Sequence, residues 1–276
     1  MSSAPYSDIP SGKVNTARLY IRLTAASVRA QMQYPASFVM MLLGNLAASG
    51  IEFLGIWVLF NRFGTLRGWK IEQIALFYGV INVAFAIAEA SGRGFDTFNT
   101  QVISGDFDRV LLRPRGAALQ VGAGTLQMMR AGRLIQGGAA LIWACSKLKI
   151  SFALWKLFLV AEAILSGASI FLGLMVLQAT MCFWTVQTLE IMNTVTYGGT
   201  ETAQYPLTIY RPWFRRFFTF VVPLACANYI PLNAVTAASR SVPISAFLAP
   251  FAGPVFLYVS FKMWNIGVRK YHSTGS

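Results

Sequence analysis

Charge is scarce in this sequence. Asp, Glu, Lys and Arg make up 12% of its 276 residues, about half the share of a soluble domain, which excludes most water-solvated enzyme folds. Ten residues are acidic and one is histidine, His272, close to the end of the chain, so a histidine-based catalyst or a histidine-ligated metal would need help from another chain. The three cysteines, Cys145, Cys182 and Cys226, stand alone in apolar stretches. They lack the paired spacing of a disulfide framework or metal knuckle and read as small core residues. Also missing are a glycine-rich loop ending in Lys and Ser or Thr, the Gly-x-Ser-x-Gly elbow and the His-Glu-x-x-His pattern. Any energy source is therefore expected to be external, and no catalytic site, cofactor site or metal site is expected in this chain.

What is present is apolar. Hydrophobic residues account for 55% of the chain, with 21 Phe, ten Tyr and seven Trp. These would overfill one soluble core but suit a helical bundle whose outer face meets acyl chains. The 23 basic residues give a net charge of +13, and they fall between the apolar runs. That placement makes anionic lipid the simpler partner and nucleic acid an unneeded one.

Residues 1–35 show no secretory signal pattern, so the N-terminus is expected to be retained. Plotted on a helix, Arg18, Arg22, Arg29 and Gln33 share one face opposite Ala17, Tyr20, Ile21, Leu23 and Val28, which predicts an amphipathic helix lying on the membrane. Six apolar stretches follow: 36–60, 71–90, 132–150, 157–186, 217–236 and 244–264. A helix needs about 20 residues to cross the hydrocarbon, and the third stretch is the shortest in its apolar part. The expected fold is an all-α integral membrane protein with an interfacial helix and six transmembrane helices. Its expected organisation is a cytoplasmic tail and interfacial helix at 1–35, a membrane domain at 36–267 and a tail at 268–276. With both termini in the cytoplasm, 16 of the 23 bases fall inside and seven outside, as the positive-inside rule requires.

Carboxylates inside apolar runs are costly and mark candidate sites. Glu52, Glu89 and Glu162 qualify. Each has a structural reading, an interhelical hydrogen bond or a basic neighbour, beside a functional one as the proton-carrying group of a secondary carrier or channel. An intramembrane enzyme acting on lipid is a further alternative, but it would need polar residues meeting at one depth.

Two segments are more specific. The loop at about 93–116 contains Ser104-Gly-Asp-Phe-Asp-Arg-Val-Leu-Leu-Arg-Pro-Arg115, in which alternating acids and bases with a Leu pair suit a short helix presented to a partner protein. Arg113 followed by Pro114 should end that helix. The second is Tyr205-Pro-Leu-Thr-Ile-Tyr-Arg-Pro-Trp-Phe-Arg-Arg216, an extended stretch and an aromatic, basic collar.

Together with Phe217-Phe-Thr-Phe-Val-Val-Pro-Leu-Ala-Cys-Ala-Asn-Tyr-Ile-Pro231, these segments resemble the ABC-2-type transporter permeases, and within them the six-span group paired with a separate ATPase. The resemblance covers nearly the whole chain in order and spacing. It implies a type-2 ABC exporter-like membrane subunit in the cytoplasmic membrane. The implied partners are an ATPase dimer that binds ATP and Mg, a second copy or a paralogous permease, and membrane lipid. It places Asp106, Asp108, Arg109, Leu112 and Arg113 in the coupling loop, and Pro223, Asn228, Tyr229 and Pro231 in the fifth-span motif. With Glu89, those last four are the expected translocation-pathway residues. Arg115 departs from the family pattern, where an apolar residue is expected after the Arg-Pro pair.

Overall fold

The computed structural model describes residues 25, 33, 35–113, 115–123, 131–150, 153–185, 189–237 and 242–271. The expected interfacial helix with Arg18, Arg22 and Arg29 lies outside the described residues. The helices are α1 (Pro35–Phe63), α2 (Ile71–Asp96), α3 (Phe98–Ile103), α4 (Asp106–Leu111), α5 (Ala117–Ala123), α6 (Ala131–Lys147), α7 (Leu154–Met181), α8 (Leu189–Ala203), α9 (Pro212–Val221), α10 (Ala225–Thr236) and α11 (Ser245–Arg269). Among the described residues the only strand-like pairing is an isolated bridge between Leu66 and Trp69.

The bundle is built around α2, which packs against α6 and α7, while α11 packs on α7. Small residues set how closely these helices approach. A Cβ placed on Gly79 would sit 2.7 Å from the backbone nitrogen of Leu141, and one on Gly137 would sit 2.8 Å from Cβ of Asn82. Glycines on both α2 and α6 thus let the two backbones come together, the usual packing device where lipid removes the hydrophobic drive between helices.

Among the described residues, three helices are long and apolar enough to cross a membrane: Ile71–Ile103, Leu154–Met181 and Ser245–Arg269. In the first, 72% of the most apolar stretch is buried inside the protein, against 22% in the last, so α2 is central and α11 peripheral. On α11, Val255, Tyr258, Val259 and Ile266 are exposed, as are Val39, Leu43, Ile51, Leu54 and Val58 on α1. Apolar surface on this scale fits lipid or another chain, not water. α6 has 17 residues, about 25 Å of helix.

The fifth expected span, 217–236, is not one helix. α9 and α10 meet at a bend of 88°. Pro223 has no amide hydrogen, and the residue before a proline is pushed to extended backbone, where Val222 lies with φ −114° and ψ 100°. Phe217–Val221 and Ala225–Tyr229 are wound as π-helix on either side of the break. The second π-turn precedes Pro231, and here the chain absorbs the missing donor by widening the turn instead of breaking.

Both ends of this bent pair return to the same end of the bundle. Before it, the Arg67 guanidinium in the α1–α2 turn donates to the carbonyl of Ile209 at 2.9 Å. After it, Leu232 and Val235 pack with Ala75, Leu76 and Ile150. α10 ascends beside α8: Leu224 lies against Gly199 and the Asn228 amide donates to the carbonyl of Ala203.

The segment that runs the length of α2 is instead α8 with the short 3-10 turn Leu207–Ile209. Tyr197 meets Asp96, Tyr205 packs near Ile74 and Tyr78, and Ile209 meets Arg67. Its sequence hides it. Thr196, Thr200 and Gln204 are buried, and Thr200 and Thr202 satisfy their hydroxyls by donating to carbonyls one turn back. Hydroxyls that bond back to their own helix can be buried among neighbouring helices at little cost.

Candidate functional site

At the end of the bundle where α2 finishes, the chain turns into two short helices. Gly105, at φ 74°, makes the corner between α3 and α4, a left-handed conformation that residues with a Cβ rarely adopt. Asp106 and Asp108 lie in the first turn of α4, where carboxylates favour the unpaired backbone amides. The Ser104 hydroxyl donates to Asp106 at 2.7 Å, and Arg109 pairs with Asp106 at 3.4 Å.

Phe107 is the main anchor of α4 in the bundle. Phe107 is fully buried, with ring centroids 4.9 Å from Phe98, 5.1 Å from Tyr271, 5.6 Å from Phe183 and 6.3 Å from Trp264. This aromatic cluster joins α4 to the ends of α7 and α11. Asp108 faces the same way, toward Tyr271; burial, and after it this carboxylate, push the Tyr271 pKa up. The opposite face is open. Leu112 is 86% exposed, Leu111, Ile103, Arg109 and Arg113 are exposed too, and the ion pair of Arg109 with Asp106 on this face is weak by virtue of exposure. Of the five expected coupling residues, then, Arg109, Leu112 and Arg113 project outward, Asp106 partners Arg109, and Asp108 turns inward. Pro114 lies outside the described residues.

One turn deeper is a polar knot that joins α2 to α7 and α8. The Arg93 guanidinium pairs with Asp96, lies 3.8 Å from Glu89 and donates to the Tyr197 hydroxyl at 3.1 Å. Tyr197 donates to Asp96 at 3.3 Å, and the Gln178 amide donates to the other Asp96 carboxylate oxygen at 3.2 Å. Glu89 is 2% exposed. It therefore sits inside protein in this conformation, beside a cation. Sequence reading found Glu89 alone; its knot partners come from positions 93, 96, 178 and 197, and the only signal they carried was polarity at the rim of apolar runs.

The fifth-span motif residues gather around the α9–α10 break. Pro223 makes it, Pro231 is buried in α10, Tyr229 stacks at 6.5 Å on Phe77, and Asn228 is buried on the Ala203 carbonyl at 2.6 Å. Asn233 is exposed. Glu162 is half-buried beside Ser166 and Pro250. The Glu52 side chain lies outside what is described.

Among the described residues, no group of His, Cys, Asp or Glu is placed to hold a metal ion. No curated protein and no solved structure matches the chain. The family model for ABC-2 family transporter proteins matches residues 46–275, which include the α3–α4 corner, the polar knot and the α9–α10 break. Members of this family are membrane proteins that partner with ABC ATPases in transporters. A chain matched over most of its length, helical throughout its described core and carrying helices apolar enough to span a membrane, belongs to the ABC-2 family of transporter proteins.

Proposed function

We propose that the chain is the membrane-spanning permease subunit of an ATP-driven exporter, with no catalytic site of its own, working with a separate ATPase that binds ATP and Mg. The observation that carries this reading is the two-faced α4: Phe107 anchors it in the bundle while Leu112, Arg109 and Arg113 are presented outward. A partner surface carrying acids around an apolar pocket would complement that face. Movement of the ATPase would then pass through the Phe107 cluster to the ends of α7 and α11, shifting the bundle between states of different cargo affinity. A dimer with a second copy or a paralogue would cover part of the exposed apolar faces. The pathway would then run along the dimer interface, with aromatic and apolar walls suited to an amphipathic or hydrophobic cargo.

The α3–α4 end is assigned to the cytoplasm, with both termini, in the cytoplasmic membrane. Because 211–216 return to the far end, the cytoplasmic side then keeps 13 of the 23 bases and the outer side ten. A reporter active only inside the cell is expected to work near Ser104 or after Ser276 and to fail near Gly64 and near Thr208. Activity at Gly64 overturns the orientation, and activity at Thr208 overturns the return of the hairpin. The function itself is tested by co-purification: a tagged chain should bring down an ABC ATPase, and export by the reconstituted pair should need ATP. Export that persists without ATP and stops when the proton gradient collapses would transfer the assignment to a carrier using Glu52, Glu89 or Glu162.

A further inference from the structure

The hairpin end of the bundle carries Arg211, Arg215 and Arg216, all exposed. Placed at the outer end, they run against the tendency of basic residues to stay inside, so topology alone does not account for them. Their local structure aims two of them into one groove. Tyr210, Phe214 and Phe218 form a ladder along one face of the segment, with centroid steps of 5.1 Å and 4.9 Å, and this face packs on the bundle. Arg215 and Arg216 fall off that face. They line a groove of about 350 Å³ with Thr208 on one rim and Phe220, Ala225 and Ile230 along an apolar floor.

Among the described residues neither guanidinium has a carboxylate partner. Two arginines offer paired donors matched to phosphate oxygens, which lysine would not supply with the same fit. Beside the groove, Trp213 is 67% exposed, as rings at the headgroup level of a bilayer are. Arg67 pins the rim by its bond to the Ile209 carbonyl. Cations above an apolar floor at a membrane surface complement a phosphate attached to acyl chains.

We propose that the α9–α10 groove is a binding site for an anionic phospholipid, whose phosphate lies between Arg215 and Arg216 and whose upper acyl chain lies on Phe220, Ala225 and Ile230. The site requires the membrane placement of the hairpin but not ATP-driven transport, so its test reads binding alone.

Full-length chain, stripped of lipid in detergent, is titrated with phosphatidylglycerol or with phosphatidylcholine of the same chains, and the bound lipid is counted by native mass spectrometry. The wild-type chain is expected to retain phosphatidylglycerol at least tenfold better. The pair Arg215→Gln and Arg216→Gln should bring the two lipids level, Arg211→Gln should leave the preference intact, and the Lys variants should lose part of it. Inorganic phosphate at millimolar concentration should not displace the lipid. If the Gln pair, with an unchanged melting midpoint, keeps the wild-type preference, the site lies elsewhere and the proposal fails. Equal displacement by inorganic phosphate would also overturn it, since the apolar floor would then contribute nothing. Preference for a soluble anionic amphiphile over phosphatidylglycerol would reassign the groove to cargo and overturn the lipid reading.

Discussion

Replacing Arg109, Leu112 and Arg113 together, by Gln, Ala and Gln, is expected to lower export at least tenfold while the chain still inserts and keeps its melting midpoint. The reason lies in the division of α4 into two faces. These three side chains leave the bundle, so their loss costs the folded chain little. Exposed ion pairs contribute about 0 to 1 kcal/mol each, which makes single charge changes mild. Leu112, 86% exposed in the free chain, should supply about 1.5 to 3 kcal/mol when buried against a partner, so the combined loss exceeds the 1.4 kcal/mol that a tenfold change in affinity requires. Asp108→Asn belongs in a separate experiment, because Asp108 faces Tyr271 and its change would loosen the anchor of α4, not its outer face. The measurement is ATP-dependent export and ATPase co-purification of the triple variant beside the wild type. Full export by a triple variant that no longer exposes Leu112 or the two guanidiniums would remove α4 from the coupling role.

Arg93→Met is expected to lower the melting midpoint in detergent by on the order of 10 °C. The substitution keeps much of the side-chain volume but leaves Glu89 and Asp96 buried without their cation. Removing one partner of a buried pair costs roughly 3 to 5 kcal/mol, and for a chain of this size each kcal/mol moves the midpoint by about 2 to 4 °C. Adding Glu89→Gln and Asp96→Asn should recover most of the loss, because no uncompensated charge then remains inside. Thermal unfolding of the wild type and the two variants decides the matter. A single variant as stable as wild type, or a triple variant no better than the single, would mean that the knot does not hold α2 to α8.

Much of this protein was legible in its sequence, for definite reasons. Low charge and long apolar runs announced a membrane bundle because hydrocarbon tolerates little else. The motif around Gly105 announced a short helix because a left-handed glycine, acids in the first turn and bases near the end satisfy that local geometry by themselves.

Direction and enclosure were decided only by the tertiary structure. The apolar run 217–236 has the composition of a span, yet whether its halves continue or fold back depends on what receives them, here Gly199 and the Ala203 carbonyl. Conversely, 189–209 reads as polar because hydropathy counts side chains without knowing that Thr196 and Thr200 face protein. The same blindness applies to charges: the sequence identified Glu89 as costly, but only packing brought Arg93, Asp96, Gln178 and Tyr197 around it from three helices. Composition determines the solvent a chain prefers, and close packing determines which of its polar groups the other helices satisfy instead.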